Sequence, residues 1–277
     1  MNRELLSLYG LKWNPFATDL PVDSLMATPA VDSFCRKIEQ HLVRQGGFAL
    51  VVGEPGTGKS AALRLLANRL ERMDGLNVAA LSHASASIGD FYNEMGDLFG
   101  ITLVHNNRWS GFKGLRQRWR AHLEDTRMRP VLLVDEAQEL ISPVLTEMRL
   151  LGSTDFDSRA ILSVVLAGDN RLLAKLRSAE LQPVASRIRQ RLVMASVEDH
   201  VLANMLDHLL EEAGNPALMT RGLKDTLVAH AGGNFRTLTI MADGLLAAAA
   251  DQNREVLDDK LFLDTWGEPG QRKGTRR

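Results

Sequence analysis

Gly53-Glu54-Pro55-Gly56-Thr57-Gly58-Lys59-Ser60 decides the fold of this chain, because G-x-x-x-x-G-K-[ST] is the spacing at which a backbone wraps a row of phosphates. Glycines let the main chain turn tightly, so that its N–H groups point inward at anionic oxygens. Lys59 brings a mobile positive charge to the β- and γ-phosphates, and Ser60 offers a hydroxyl to Mg²⁺. The flanks agree with this reading. Phe48 to Val52 is an unbroken apolar run, as in a buried strand, and the stretch from Ala61 to Ala67 has helical spacing. A helix that starts at Ala61 turns its N-terminal dipole on the same anion. The stretch predicts a nucleotide-binding chain with an α/β core.

A second motif adds hydrolytic chemistry. Val131-Leu132-Leu133-Val134 follows Pro130 without alternation, which predicts a strand covered on both faces in a parallel sheet, and Asp135-Glu136 closes it. Carboxylates at that end stand where open α/β sheets bind ligands. Asp135 is a candidate holder of the Mg²⁺ shell, and Glu136 is a candidate to orient or deprotonate the attacking water.

Further apolar runs at Asn77–Leu81, Ile161–Ala167 and Leu192–Met194 alternate with helical periods at about 88–98 and 111–126, which implies a parallel sheet with right-handed crossovers. After about Ser196 only helical periods remain, at 197–212, 221–231 and 235–250, broken by Gly214, Gly232 and Gly233. The expected division is an α/β domain over 1–195 that includes the N-terminal segment, a small helical domain over 196–265, and a basic tail over 266–277 that reads as disordered. Composition is that of an ordinary globular protein, and a net charge of −1 requires any nucleic-acid surface to be local. The single cysteine, Cys35, reads as a small buried apolar residue and forms no internal disulfide. No stretch is long and apolar enough to span a bilayer, and Met1-Asn2-Arg3-Glu4 opens no signal peptide, so a cytoplasmic location with no membrane partner is expected.

The phosphate loop, the Asp-Glu strand end and the trailing helical domain, in that order, resemble the AAA+ ATPases. Within them the chain is similar to the ExeA-like group, which includes secretion ATPases and transposon-encoded ATPases. The likeness runs from about Tyr9 to Ala250. Tyr9-Gly10-Leu11 and Asn14-Pro15-Phe16 resemble the group's opening, a segment that lies against the adenine in AAA+ proteins. Leu166-Ala167-Gly168-Asp169-Asn170 resembles the strand end whose polar residue senses the γ-phosphate, with Asp169 and Asn170 both candidates. An aspartate there would repel the phosphate unless it holds water or a neighbouring arginine. His208–Gly214 resembles the lid helix, and Gly232-Gly233-Asn234-Phe235-Arg236 resembles the lid's nucleotide-sensing arginine motif, with Phe235 where proline is usual.

Ser186-Arg187-Ile188 resembles the region whose arginine reaches into a neighbouring subunit. Arg187, Arg189 and Arg191 alternate there, and Arg187 is the first candidate. A guanidinium delivered across an interface neutralises charge on the transferred phosphoryl group, so the resemblance implies ATP hydrolysis completed in a ring or helical filament.

From Arg108 to Arg120 the chain carries five positive charges, no negative ones, and interleaved aromatics. Such a segment would meet duplex DNA through its phosphates, without sequence preference. Lys113, Arg116 and Arg120 share one helix face and are the candidate contacts. A solvated face over a core of Leu115 and Trp119 is the other reading. The resemblance implies an ATP-dependent, DNA-binding regulator of transposition of the IstB, TnsC and TniB type, which recruits a transposase or integrase and leaves on hydrolysis. Two alternatives stand beside it, a secretion or envelope-assembly ATPase and a nucleotide switch that acts only through partner binding.

Overall fold

Five apolar runs become the five strands of one parallel sheet in a computed structural model that describes residues 3–81, 87–101, 108–154 and 159–266. The strands are β1 (Gly47–Gly53), β2 (Leu76–Leu81), β3 (Arg129–Val134), β4 (Ser163–Gly168) and β5 (Ile188–Met194), in the order β2-β3-β4-β1-β5. A separate antiparallel pair joins Ser153–Thr154 to Arg159–Ala160.

Unbroken apolar runs produce this sheet because alternate residues enter two different core layers. Phe48, Leu50, Val52, Leu132, Val134, Val164 and Leu166 face one layer, with Phe91, Met95, Leu115, Trp119 and Met148 from the covering helices. Ala49, Val51, Val131, Leu133, Val165 and Ala167 face the other, with Phe34, Cys35, Leu66 and Leu70. Cys35 is 1 % exposed, and burial pushes its thiol up to about 11, which keeps it the inert apolar residue expected.

The helices of this unit are α1 (Pro29–Lys37), α2 (Lys59–Glu71), α3 (Ile88–Leu98), α4 (Arg108–Ala121), α5 (Ser142–Leu151) and α6 (Asn170–Leu176). Capping sets several starts: Thr28 and Ser87 each accept a backbone N–H from the first turn of their helix, and Asp169 does so for α6. β5 begins earlier than the apolar run at Leu192 indicates. It is an edge strand, and Arg189, Arg191 and Val193 alternate outward along it while Leu192 is buried.

The second unit consists of α7 (Asp199–Ala213), α8 (Arg221–Ala231), α9 (Phe235–Asp251) and α10 (Asp259–Trp266), with the chain up to Met26 packed among them. The expected boundary is therefore displaced: Ala27–Ala195 is the α/β unit, and the N-terminal segment belongs with the helices. The reason is apolar burial. Tyr9, Leu11 and Phe16 join Leu202, Leu206, Leu210, Leu245 and Leu246 in one core. The Tyr9 hydroxyl donates to the Arg254 carbonyl at 2.8 Å, and Asn215 Nδ2 donates to the Tyr9 carbonyl at 2.8 Å. The tail over 267–277 lies outside the described residues. Among the described residues no helix is long and apolar enough to cross a membrane.

Candidate functional site

The phosphate loop connects the C-terminal end of β1, a central strand, to α2. Gly56 and Gly58 hold φ of 83° and 93°, a region that L side chains rarely enter, so the loop's shape depends on them. At Gly53 a Cβ would lie 2.3 Å from the Met194 carbonyl oxygen and 2.7 Å from Thr57 Oγ1, which fixes glycine at the loop's root as well. Thr57 is 1 % exposed, and its hydroxyl donates to the Glu54 carbonyl at 2.8 Å, closing the turn from inside. No side chain caps α2 at Gly58, so its leading N–H groups remain for an anion.

Lys59 is only 6 % exposed, and its ammonium donates to the carbonyls of Gly53 at 2.9 Å and Glu54 at 3.1 Å. The two carbonyls hold the ammonium at the root of the loop, where a phosphate would meet it. Glu54, Pro55 and Ser60 are exposed, and Ala61 is half-buried in the first turn of α2.

Asp135 and Glu136 follow β3. The Asp135 N–H donates to the Leu81 carbonyl at 3.3 Å, and Asp135 Oδ1 accepts the Glu136 N–H at 2.9 Å. Glu136 is exposed and left-handed, with φ of 48°, an uncommon conformation for a residue with a side chain. Its carboxylate accepts a hydrogen bond from the amide of Gln138. Gln138 is a residue the sequence reading passes over; a polar residue two places after a candidate carboxylate would have been its only signal.

The structure separates the two sensor candidates at the end of β4. Asp169 turns to its own helix, where Oδ1 accepts the Arg171 N–H at 2.8 Å and Oδ2 accepts Arg171 Nε at 2.9 Å. Burial acts to raise its carboxyl, but the Arg171 hydrogen bonds and charge, with Lys59 beyond, outweigh it and hold the group below the usual carboxylate range. This is the neighbouring arginine that an aspartate in that place requires. Asn170 instead reaches the phosphate loop, and its Nδ2 donates to the Glu54 carboxylate.

The three interface candidates stand in a row. Arg187 is half-buried and donates to the Pro183 carbonyl at 2.6 Å, while Arg189 is exposed and donates to Gln45 Oε1 at 2.7 Å. Arg191 is exposed on the edge strand.

The basic face of α4 is only partly available. Gly111, Leu115 and Trp119 line its buried side, whereas Lys113 and Arg120 are exposed. Arg116 is half-buried: its guanidinium lies 5.0 Å from the Phe112 ring centroid and donates to the Leu150 carbonyl at 3.0 Å. Arg108, at the start of the same helix, pairs with the buried carboxylate of Glu147, which also accepts from the Tyr92 hydroxyl at 2.5 Å. Burial, and then that hydrogen bond, push the Tyr92 hydroxyl pKa up.

In the helical unit, Arg236 is exposed in the first turn of α9, and Asn234 caps that helix by accepting the Thr237 N–H at 3.1 Å. Phe235 occupies the first helical position, where proline is favoured but any residue serves once the cap is made. Gly233 has φ of 80°, and a Cβ there would lie 2.5 Å from the Val197 carbonyl oxygen. Asn14 donates to Asp243 Oδ1 at 2.7 Å and accepts the Phe16 N–H at 3.0 Å, and Pro15 and Phe16 are buried in the same unit.

A central strand running into a glycine-built phosphate loop, a carboxylate pair after β3 and the strand order β2-β3-β4-β1-β5 define an α/β P-loop fold of the AAA+ kind. A family model described as AAA domain matches residues 40–176. It is 30 % identical over 233 residues to the general secretion pathway protein A of Aeromonas hydrophila, a match covering 82 % of this chain and 42 % of that protein. The chain thus spans less than half the length of that relative. The fold is similar to Cdc6p of Pyrobaculum aerophilum, with a TM-score of 0.72, 15 % identity and coverage of 88 % of this chain and 67 % of that one. It is also similar to the Aeropyrum pernix ORC1 protein solved in complex with DNA, with a TM-score of 0.71, 17 % identity and coverage of 91 % and 67 %.

Proposed function

We propose that the chain is an oligomeric ATPase that binds duplex DNA and regulates transposition: it assembles on DNA with ATP and Mg²⁺, recruits a transposase or integrase, and disassembles on hydrolysis. The observation that carries the ATPase part is the buried Lys59 ammonium inside a glycine-built loop, with Asp135 and Glu136 following the strand β3 of the same sheet. The donor set fits the nucleotide. Gly56, Gly58 and the leading N–H groups of α2 suit phosphate oxygens, and Ser60 and Asp135 are hard oxygen ligands suited to Mg²⁺. Bound there, the ion would supply positive charge at the phosphates.

This chain's residues do the rest. Lys59 binds the β- and γ-phosphates, Glu136 orients the attacking water and takes its proton, and Asn170 senses the γ-phosphate through the side that meets Glu54. One of Arg187, Arg189 and Arg191 serves a neighbouring subunit, and the exposure of Arg189 and Arg191 on the edge strand, just after Arg187, supports that role. The exposed Lys113 and Arg120 of α4 support the DNA reading, as does the fold's likeness to a protein solved with DNA.

A second reading has its own support. The 30 % identity to a general secretion pathway protein favours an ATPase that works on a protein assembly, with no DNA in the cycle.

ATPase rate and sedimentation, with and without duplex DNA at low and moderate salt, separate the two. Assembly and stimulation that need both ATP and DNA, and that fade with salt, are the expected result. Turnover indifferent to DNA at every salt concentration would sink the transposition reading and leave the secretion reading standing.

A further inference from the structure

Gln138 is 5 % exposed, and both ends of its side-chain amide are engaged. Nε2 donates to Glu136 Oε2, and Oε1 accepts the Asp169 N–H at 3.3 Å. The chemistry of the partners fixes which way the amide faces. A backbone N–H can only donate, so the oxygen must meet Asp169, and the NH₂ is left to meet a carboxylate that can only accept. The reversed amide would oppose donor to donor and acceptor to acceptor.

The main chain around Gln138 is held as firmly. Lys175 donates to the carbonyls of Gln138 and Leu140, each at 2.7 Å, and the Glu139 N–H returns to the Glu136 carbonyl at 2.9 Å. Gly168 makes room for the amide, since a Cβ there would lie 2.5 Å from Gln138 Oε1. The Asp169 N–H bonded to Gln138 lies one residue before Asn170, whose side chain bonds to Glu54 of the phosphate loop. The Asp169–Asn170 backbone thus joins two sets of hydrogen bonds, one from the Asn170 side chain to the loop and one from the Asp169 N–H through Gln138 to the Glu136 carboxylate.

We propose that Gln138 is a positioning residue for hydrolysis: its amide sets the orientation of the Glu136 carboxylate and makes it follow the strand end at Gly168–Asp169, where the γ-phosphate is sensed. This rests on Glu136 being the residue that activates water. Without the amide, the exposed carboxylate on its left-handed residue is free to rotate. ATP binding uses other groups and does not need it.

The test compares Gln138→Ala, the near-isosteric Gln138→Glu and Glu136→Gln in the full chain. Steady-state ATP turnover and ATP binding are read separately. Gln138→Ala is expected to lower kcat by about tenfold to a hundredfold, the effect of small misplacement of a reacting group, with KM for ATP within about twofold of wild type. Gln138→Glu keeps the side chain's size and its acceptor for the Asp169 N–H but puts an acceptor where the NH₂ donor met Glu136, so kcat is expected to fall at least as far with KM again within about twofold. A residue that only supports the fold would lose ATP binding and turnover together. Unchanged kcat in both Gln138 variants, or a KM that rises in step with the fall in kcat, would overturn the proposal while Glu136→Gln remains inactive. Substantial turnover in Glu136→Gln would instead remove the assignment of Glu136 on which it rests.

Discussion

The phosphate loop and helix α4 both stand out in the sequence as positive charge at a telling spacing, and the structure treats them in opposite ways. In the loop, backbone does the work: Gly56 and Gly58 adopt conformations that L residues avoid, and Lys59 is buried with its ammonium donating to the carbonyls of Gly53 and Glu54. In α4, side chains do the work, and several are engaged within the unit. Arg108 neutralises the buried Glu147, and Arg116 ties Phe112 and the Leu150 carbonyl to the helix. A motif that dictates backbone shape leaves its charge little else to do. A run of charged side chains on a helix is shared between the partner outside and the fold beneath.

The largest test of this contrast is Lys59→Ala. Removing one charge-assisted contact to phosphate costs about 1.5–3 kcal/mol, or roughly ten- to a hundredfold in ATP affinity, and turnover should fall below detection. Thermal stability should change little, because the carbonyls that Lys59 meets lie beside an open loop. Equilibrium binding of a fluorescent ATP analogue and a melting curve check both parts; a large loss of stability would mean that Lys59 is a structural residue like Arg108. Gly58→Ala is the backbone counterpart. Forcing a Cβ into φ of 93° costs about 1–2 kcal/mol of local strain. Its ATP affinity should fall roughly tenfold with every charge still in place. Full affinity in that variant would show that the loop's shape tolerates a side chain, against the backbone half of the comparison.

How much of this was legible follows the same division. In the loop the glycines, Lys59 and Ser60 could be read, since each answers a backbone or phosphate requirement, whereas the inward Thr57 hydroxyl could not. Unbroken apolar runs marked β1 and β3, whereas Leu192–Met194 marked only the end of β5, because Arg189 and Arg191 alternate along an edge that one face leaves to solvent. Asp169 and Asn170 could not be ranked from sequence. What tells them apart is a helix cap, which turns Asp169 to Arg171 while Asn170 meets Glu54. Gln138 went unread because its two partners are a side chain two residues back and a peptide N–H just past the end of β4. The placement of Tyr9, Leu11 and Phe16 with the helices is a packing result between the two ends of the chain, which no local pattern records.

The smallest expected effect separates the two halves of α4 itself. Arg116→Ala loses a hydrogen bond to a carbonyl and a cation–π contact, together about 1–2 kcal/mol of stability. Lys113→Ala, on the exposed face, should leave stability within about 0.5 kcal/mol. DNA affinity should respond in the reverse sense. If Lys113 meets a phosphate, its loss lowers affinity at low salt and reduces the slope of log K against log salt by about 0.9. Arg116→Ala should leave that slope nearly unchanged wherever the protein remains folded. Chemical denaturation and a salt titration of DNA binding measure the two quantities on the same pair of variants. Should Arg116→Ala carry the larger slope change, its guanidinium leaves Leu150 and Phe112 for the phosphate backbone, and α4 serves its ligand before its own fold.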